Sequence, residues 1–174
     1  MTPDGQDVFD AVYGEHHRAV HAYLLGRTSD PSAAGDLLQE TFLRAWRRLD
    51  VLDGLAPDRQ RAWLVTVARN LVTDRFRARA TRGATHEALV REQRPPDPHG
   101  PGTAERVVAR EELERLRAAI AALPEPQRVV LTMTTVAGMG SHEIGAALDL
   151  PAGTVRHRLH QARRRLAAQL DRED

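Results

Sequence analysis

Cysteine is absent from this 174-residue chain, which excludes a disulfide framework and any thiolate-bound metal and gives no sign of an oxidising compartment. Lysine is absent too. All 25 basic residues are arginine, against 24 acids and a formal net charge of +1, so the total charge says little about partners, and a GC-rich coding sequence accounts for the arginine bias. Aromatic residues make up only 4% of the chain while Ala, Leu and Arg dominate, a balance that favours helix over strand. No window approaches the roughly 20 apolar residues that cross a bilayer. The N-terminal MTPDGQDVFD has neither a basic start nor an apolar run, so no membrane insertion and a cytoplasmic location are expected. There is no HExxH, no Gly-rich phosphate loop and no suitably partnered carboxylate pair. Catalytic residues, a cofactor and a metal are therefore not expected, and a binding protein is favoured over an enzyme.

What is present is a fold-forming apolar fraction of 41% and an uneven distribution of charge. Arg69 to Arg82 holds five arginines and one acid, Asp74, while Pro151 to Leu166 (PAGTVRHRLHQARRRL) holds five arginines and no acid. Two separated basic segments imply two contacts with a polyanion. Between them, HEALVREQRPPDPHGPGTAE breaks every regular period with its prolines, and a flexible linker is expected over 83–105. It divides the chain into a module over 1–82 and another over 106–174.

In the first module, helical spacing is expected over Asp7–Leu25. A second helix should start at Asp30 as N-cap with Pro31 in the first turn, burying Leu38, Phe42, Ala45, Trp46 and Leu49. A third, Arg59–Ala80, should bury Trp63, Leu64, Val67, Ala68 and Leu71, giving three packed helices. The second module is expected to be helical over Thr103–Leu123 and Gln127–Val136. A turn at Gly138 and Gly140 follows, then a short helix capped by Ser141 with Ile144, Ala147 and Leu148 inward. A tight connection over Asp149–Gly153 leads to a longer basic helix. Two helices joined by a short turn, the second basic, form the helix-turn-helix pattern.

At 100° per residue, Val155, Leu159, Ala162 and Leu166 lie within about 40° of one line. Arg156 and Arg163 flank this stripe on one side, Arg158 and Arg165 on the other, and the far face carries His157, His160, Gln161 and Arg164. Such a helix can set arginines against the phosphates of both groove walls and present its outer side chains to base edges. Two histidine pairs, His157 with His160 and His17 with His21, have helical spacing but lack a third ligand. A free-standing helix-turn-helix regulator, dimeric on a palindrome, also fits the second module alone.

Taken together, these residues resemble the extracytoplasmic-function subgroup of bacterial sigma factors in the sigma-70 family. DLLQETFLRAWRRLD and RAWLVTVARNLVTDRFRAR are similar to the family's second region. The run from LPEPQRVVL through GTVRHRLHQARRRL is similar to its fourth. The resemblance implies an all-α protein of two small helical domains that directs core RNA polymerase to promoters and helps to melt them. It implies that Asp36, Gln39, Glu40, Leu43, Arg44 and Arg47 bind the β′ clamp helices. It also implies a contact with the β flap, and that Arg69, Asn70, Thr73, Asp74 and Arg77, helped by the loop Asp50–Gln60, bind the minus-10 element. Thr154, Arg156, His157, Arg158, His160, Gln161, Arg163 and Arg164 would bind the minus-35 element. Promoter DNA and an anti-sigma factor complete the implied partners. The chain departs from the family where His157 replaces a small or hydroxyl residue, where Gln161 replaces a basic one, and where Gly140 and His142 open the short helix.

Overall fold

The computed structural model describes residues 3–83 and 104–170. The segment expected as a linker lies almost wholly outside these residues. Among them are eight helices and no strand: α1 (Pro3–Thr28), α2 (Pro31–Trp46), α3 (Leu49–Asp53), α4 (Pro57–Gly83), α5 (Ala104–Ala121), α6 (Glu125–Thr135), α7 (Ser141–Leu148) and α8 (Ala152–Leu170).

The α1–α2 corner forms as its sequence dictates. The Asp30 carboxylate accepts from the Ser32 and Ala33 N–H groups at 2.9 and 3.2 Å, and Pro31 stands in the first turn where no donor is needed. The buried face of α2 is rotated from the one expected: Ala33, Ala34, Leu37, Thr41, Phe42 and Ala45 are buried, while Leu38 and Trp46 are only half-buried. Leu49 is not on this helix, because α2 ends at Trp46 and the chain restarts as α3, which buries Leu52. The first module therefore has four helices rather than three. In α4 the inward residues are Leu64, Val65, Ala68, Leu71 and Val72, with Trp63 and Val67 at the rim.

In the second module Ser141 is not the cap. Gly140 holds the N-cap position in extended backbone, and the Glu143 carboxylate accepts from its N–H at 2.8 Å. That bond holds the Glu143 carboxyl below its usual range; slight burial opposes the fall and Arg61 adds to it.

The modules do not build separate cores. α6 packs along α1 and α7 packs on α4, so that Val20, Leu24, Leu64 and Val65 belong to the same apolar cluster as Val129, Val130, Met133 and Ile144. Polar bonds close the seam. The Arg128 Nε donates to the Gly26 carbonyl at 2.7 Å, Arg27 Nε lies 3.0 Å from Glu125 Oε1, and Arg61 Nη1 lies 3.4 Å from Glu143 Oε1. A smaller cluster of Leu123, Leu131 and Ala162, with Ile120 of α5 packed against it, ties α5, α6 and α8 together.

Candidate nucleic-acid interface

The helix-turn-helix is α7, its turn, and α8. Leu150 N–H donates to the Gly145 carbonyl at 2.9 Å, and Asp149 takes a left-handed φ of 57°. A Cβ on Gly145 would stand 2.6 Å from the Leu150 carbonyl oxygen, so this tight turn requires glycine there. Val155, Leu159 and Ala162 are buried and Leu166 packs against the smaller cluster, which is the stripe expected from the sequence. Burying this stripe points the opposite face outward: Arg156, His157, His160, Arg163 and Arg164 are exposed, with Thr154, Arg158 and Gln161 half-exposed. Arg156, His160 and Arg163 share a shallow groove of about 400 Å³ with Gly140 and Ser141 at the start of α7. Two guanidinium groups beside a helix N-terminus favour an anion such as a backbone phosphate.

Gln161 is not free. Its Oε1 accepts from Gln127 Nε2 of α6 at 2.9 Å, and its own amide nitrogen donates to His157 Nε2 at 2.9 Å. Gln127 is buried and was not singled out by the sequence, because its partner is 34 residues away.

On α4, Asn70, Asp74 and Arg77 are exposed, and Arg69 and Thr73 are half-buried, with the Thr73 hydroxyl donating to the Arg69 carbonyl at 2.9 Å. Phe76 is 46% exposed and lies within about 20° of Arg69 on the helical wheel. A large ring left in solvent beside arginines is what a stacking contact with an unpaired base requires, and only its burial value reveals it. The loop before α4 is fixed from beneath. Gln60 donates to the Leu52 carbonyl at 2.8 Å and its Oε1 accepts from Nε2 of the buried His16 at 3.1 Å. The structural histidine of α1 is thus His16, not His17 or His21.

On α2, Asp36, Gln39 and Leu43 are exposed, as is Arg47 at its C-cap, and Glu40 and Arg44 are half-exposed and paired with each other at 2.9 Å. Leu43 is 51% exposed. It is not isolated, since it edges a groove of about 570 Å³ between α1 and α2 with Phe9, Tyr13, Leu38, Phe42 and Trp46. Phe9 meets Trp46 edge-on at 4.8 Å and Tyr13 meets Phe42 at 4.8 Å. The sequence of α2 alone shows half of this surface; the other half comes from α1.

Among the described residues no three His, Asp or Glu side chains come together to hold a metal, and no helix is long and apolar enough to cross a membrane.

Residues 12–82 match the family described as Sigma-70 region 2, and residues 113–166 match Sigma-70, region 4. The ECF RNA polymerase sigma factor SigL of Mycobacterium tuberculosis (strain H37Rv) is 35% identical over 159 residues, 90% of this chain and 85% of that one. The chain belongs to the ECF sigma factors of the sigma-70 family. As a sigma factor it serves promoter-specific initiation of transcription. RNA polymerase sigma factor CnrH of Cupriavidus metallidurans is also 35% identical, over 78% of this chain and 72% of that one. Among solved structures, CnrH in complex with the cytosolic domain of CnrY superposes with a TM-score of 0.62 at 28% identity, covering 97% of this chain and 91% of that one. The sigma factor RpoE of Bartonella quintana, solved with the anti-sigma factor NepR, shares the fold at a TM-score of 0.65 and 23% identity, covering 98% of each chain.

Proposed function

We propose that this sigma factor reads the minus-35 element with the outer face of α8 and the minus-10 element with α4, and holds core polymerase by the α1–α2 groove. The observation that carries the reading is α8 itself. Its apolar stripe is used in packing, so Arg156, His157, His160, Arg163 and Arg164 are left exposed. Arg156 and Arg163 with the α7 terminus take phosphates, and His157 and His160 meet base edges. On α4, Asn70, Asp74 and Arg77 line one exposed face with Arg69 and Thr73 at its margin, and Phe76 supplies a stacking surface for the melted strand. Leu43 and its aromatic neighbours, with Gln39 in the same groove, suit a helical partner such as the β′ clamp helices, to which the exposed Asp36 and Arg47 add charge. The second module, 106–174, carries the β flap contact. The protein catalyses nothing itself and works in the bacterial cytoplasm, where polymerase and promoter are found. An anti-sigma factor is a further partner on this reading; the relative CnrH is solved with the cytosolic domain of CnrY.

The packed seam between the modules bears on promoter binding. The centres of the two promoter elements lie about 25 base pairs apart, or about 85 Å of B-form DNA at about 3.4 Å per pair. A compact chain of this size has a radius of gyration of about 16 Å, so the closed protein cannot touch both. Core polymerase supplies the scaffold that sets the modules at the right separation. The isolated chain is therefore expected to bind promoter fragments weakly or undetectably at physiological salt, while a mixture with core polymerase comigrates and starts transcripts at fixed sites. Tight, sequence-specific binding by the free chain would contradict the reading.

Within the complex, Arg156→Ala is expected to cost about 1–3 kcal/mol of promoter affinity. Titration of holoenzyme against the cognate promoter measures it. An unchanged affinity would remove Arg156 from the DNA contact.

A further inference from the structure

We propose that Gln127, which lies on α6 outside the recognition helix, is a positioning residue that sets base preference by fixing the protonation pattern of His157. The proposal rests on the reading of α8 as the helix that enters the minus-35 groove.

The chain of bonds has a direction. Gln127 Nε2 donates to Gln161 Oε1, so the Gln161 amino group is turned toward His157, where it donates to Nε2. A ring nitrogen that accepts carries no proton, so the neutral His157 ring bears its hydrogen on Nδ1. His157 and Gln161 are one turn apart on α8, and alone they would pair equally well with the amide reversed, Gln161 Oε1 accepting from an Nε2–H. In the structure Gln127 sets that choice by donating from its amino group to the Gln161 oxygen.

The placement of Gln127 supports this role. It is 7% exposed, and its Oε1 is buried without a hydrogen-bond partner. An unpaired buried carbonyl costs stability that an apolar side chain of similar size would not, so packing alone gives no reason for glutamine. Its amino group does, since it bonds Gln161 of α8. The Gln161 amide, a group that when free can pair bidentately with adenine, is engaged by protein at both ends.

The consequence is a donor-only reader. The exposed His157 presents an Nδ1–H, which suits purine N7, guanine O6 or thymine O4 in the major groove, while cytosine shows there only its N4 amino donor. At the base pair facing His157 the protein therefore selects against cytosine.

The test uses holoenzyme formed with core polymerase on a promoter library randomised through the minus-35 element, with transcripts sequenced. The wild-type chain is expected to reject cytosine at one position by about tenfold. Gln127→Met should flatten that position and leave the thermal midpoint unchanged or higher. In Gln127→Glu the carboxylate can only accept, so the Gln161 amide turns, His157 takes its proton on Nε2, and cytosine usage at that position rises about tenfold. Nitrogen-15 spectra of the His157 ring should show the Nδ1–H form in the wild type and the Nε2–H form in Gln127→Glu. His157→Ala should flatten the same position and make Gln127→Met silent. If the glutamate variant does not fold, the methionine variant and its double mutant carry the test. An unchanged base profile in Gln127→Met, or an equal loss on every sequence with no change of ring protonation, overturns the relay while leaving the DNA-reading assignment intact. Absence of promoter-specific transcripts from the wild-type holoenzyme overturns that assignment and the relay with it.

Discussion

Gly26→Leu is expected to separate the two modules without unfolding them, raising the radius of gyration from about 16 Å to well above it while helix content is kept. Glycine in a helix ordinarily costs about 1 kcal/mol relative to alanine, so an isolated α1 would gain from the change. Here the sign reverses. A Cβ on Gly26 would stand 2.5 Å from Thr132 Oγ1 and 2.6 Å from Val129 Cα, and the second of these is backbone that cannot swing aside. The seam has to part at this point, and with it the Arg128 bond to the Gly26 carbonyl. Each module keeps helices of its own to pack, α1 with α2 and α4, and α6 with α7 and α8. Gly14 provides the control on the same helix, because a Cβ there meets nothing within 4 Å; Gly14→Leu should leave the protein compact and slightly more stable. Small-angle X-ray scattering with far-UV circular dichroism measures both. An unchanged radius in Gly26→Leu would mean that contact between α1 and α6 does not hold the modules together. The same variant should bind core polymerase faster, since opening no longer has to precede it.

Arg128→Ala is expected to cost about 2–4 kcal/mol of stability, read as a lower urea midpoint. One guanidinium ties three backbone carbonyls: Gly26 at the end of α1 through Nε at 2.7 Å, and Ala121 and Leu123 through Nη1 at 2.9 and 2.8 Å. Hydrogen bonds from a charged donor contribute about 1.5–3 kcal/mol each, and those sharing one side chain do not add fully. Burial lowers the Arg128 pKa, a fall that Glu125 opposes and Arg27 deepens, yet an arginine stays charged across the working pH range. Arg128→Lys should recover little, because an ammonium cannot hold the fork that joins the end of α1 to the α5–α6 turn. A loss below about 1 kcal/mol in Arg128→Ala would show that solvent replaces these bonds readily.

Periodicity carried far in α8, where Val155, Leu159 and Ala162 are buried as their spacing dictates and the arginines fall to the flanks. It also placed the Asp30–Pro31 helix start, because a cap is a local event settled by three neighbouring residues. It went astray where a neighbouring helix chooses the face. α2 offers Leu37, Leu38, Phe42 and Trp46 to either of two adjoining stripes, and packing against α1 and α4 selected the one through Leu37 and Thr41. Gly140 rather than Ser141 is the cap because Glu143, three residues on, reaches back to accept from the Gly140 N–H.

Sites followed the same division. The outward residues of α8, α4 and α2 were legible because each helix buries a single stripe. The groove that makes Leu43 part of a surface, the Phe76 ring and the Gln127 bond to Gln161 were not, since each depends on residues from distant segments or on burial values. The amino-acid sequence by itself determined an all-helical chain, its two basic segments and its sigma-factor family, because capping, periodicity and motif spacing are short-range. Only the tertiary structure decided that the modules share one core and that His157 is tied through Gln161 to a buried side chain of α6. Both follow from contacts across the fold, where a glycine admits a second helix and a buried amide meets a partner 34 residues away.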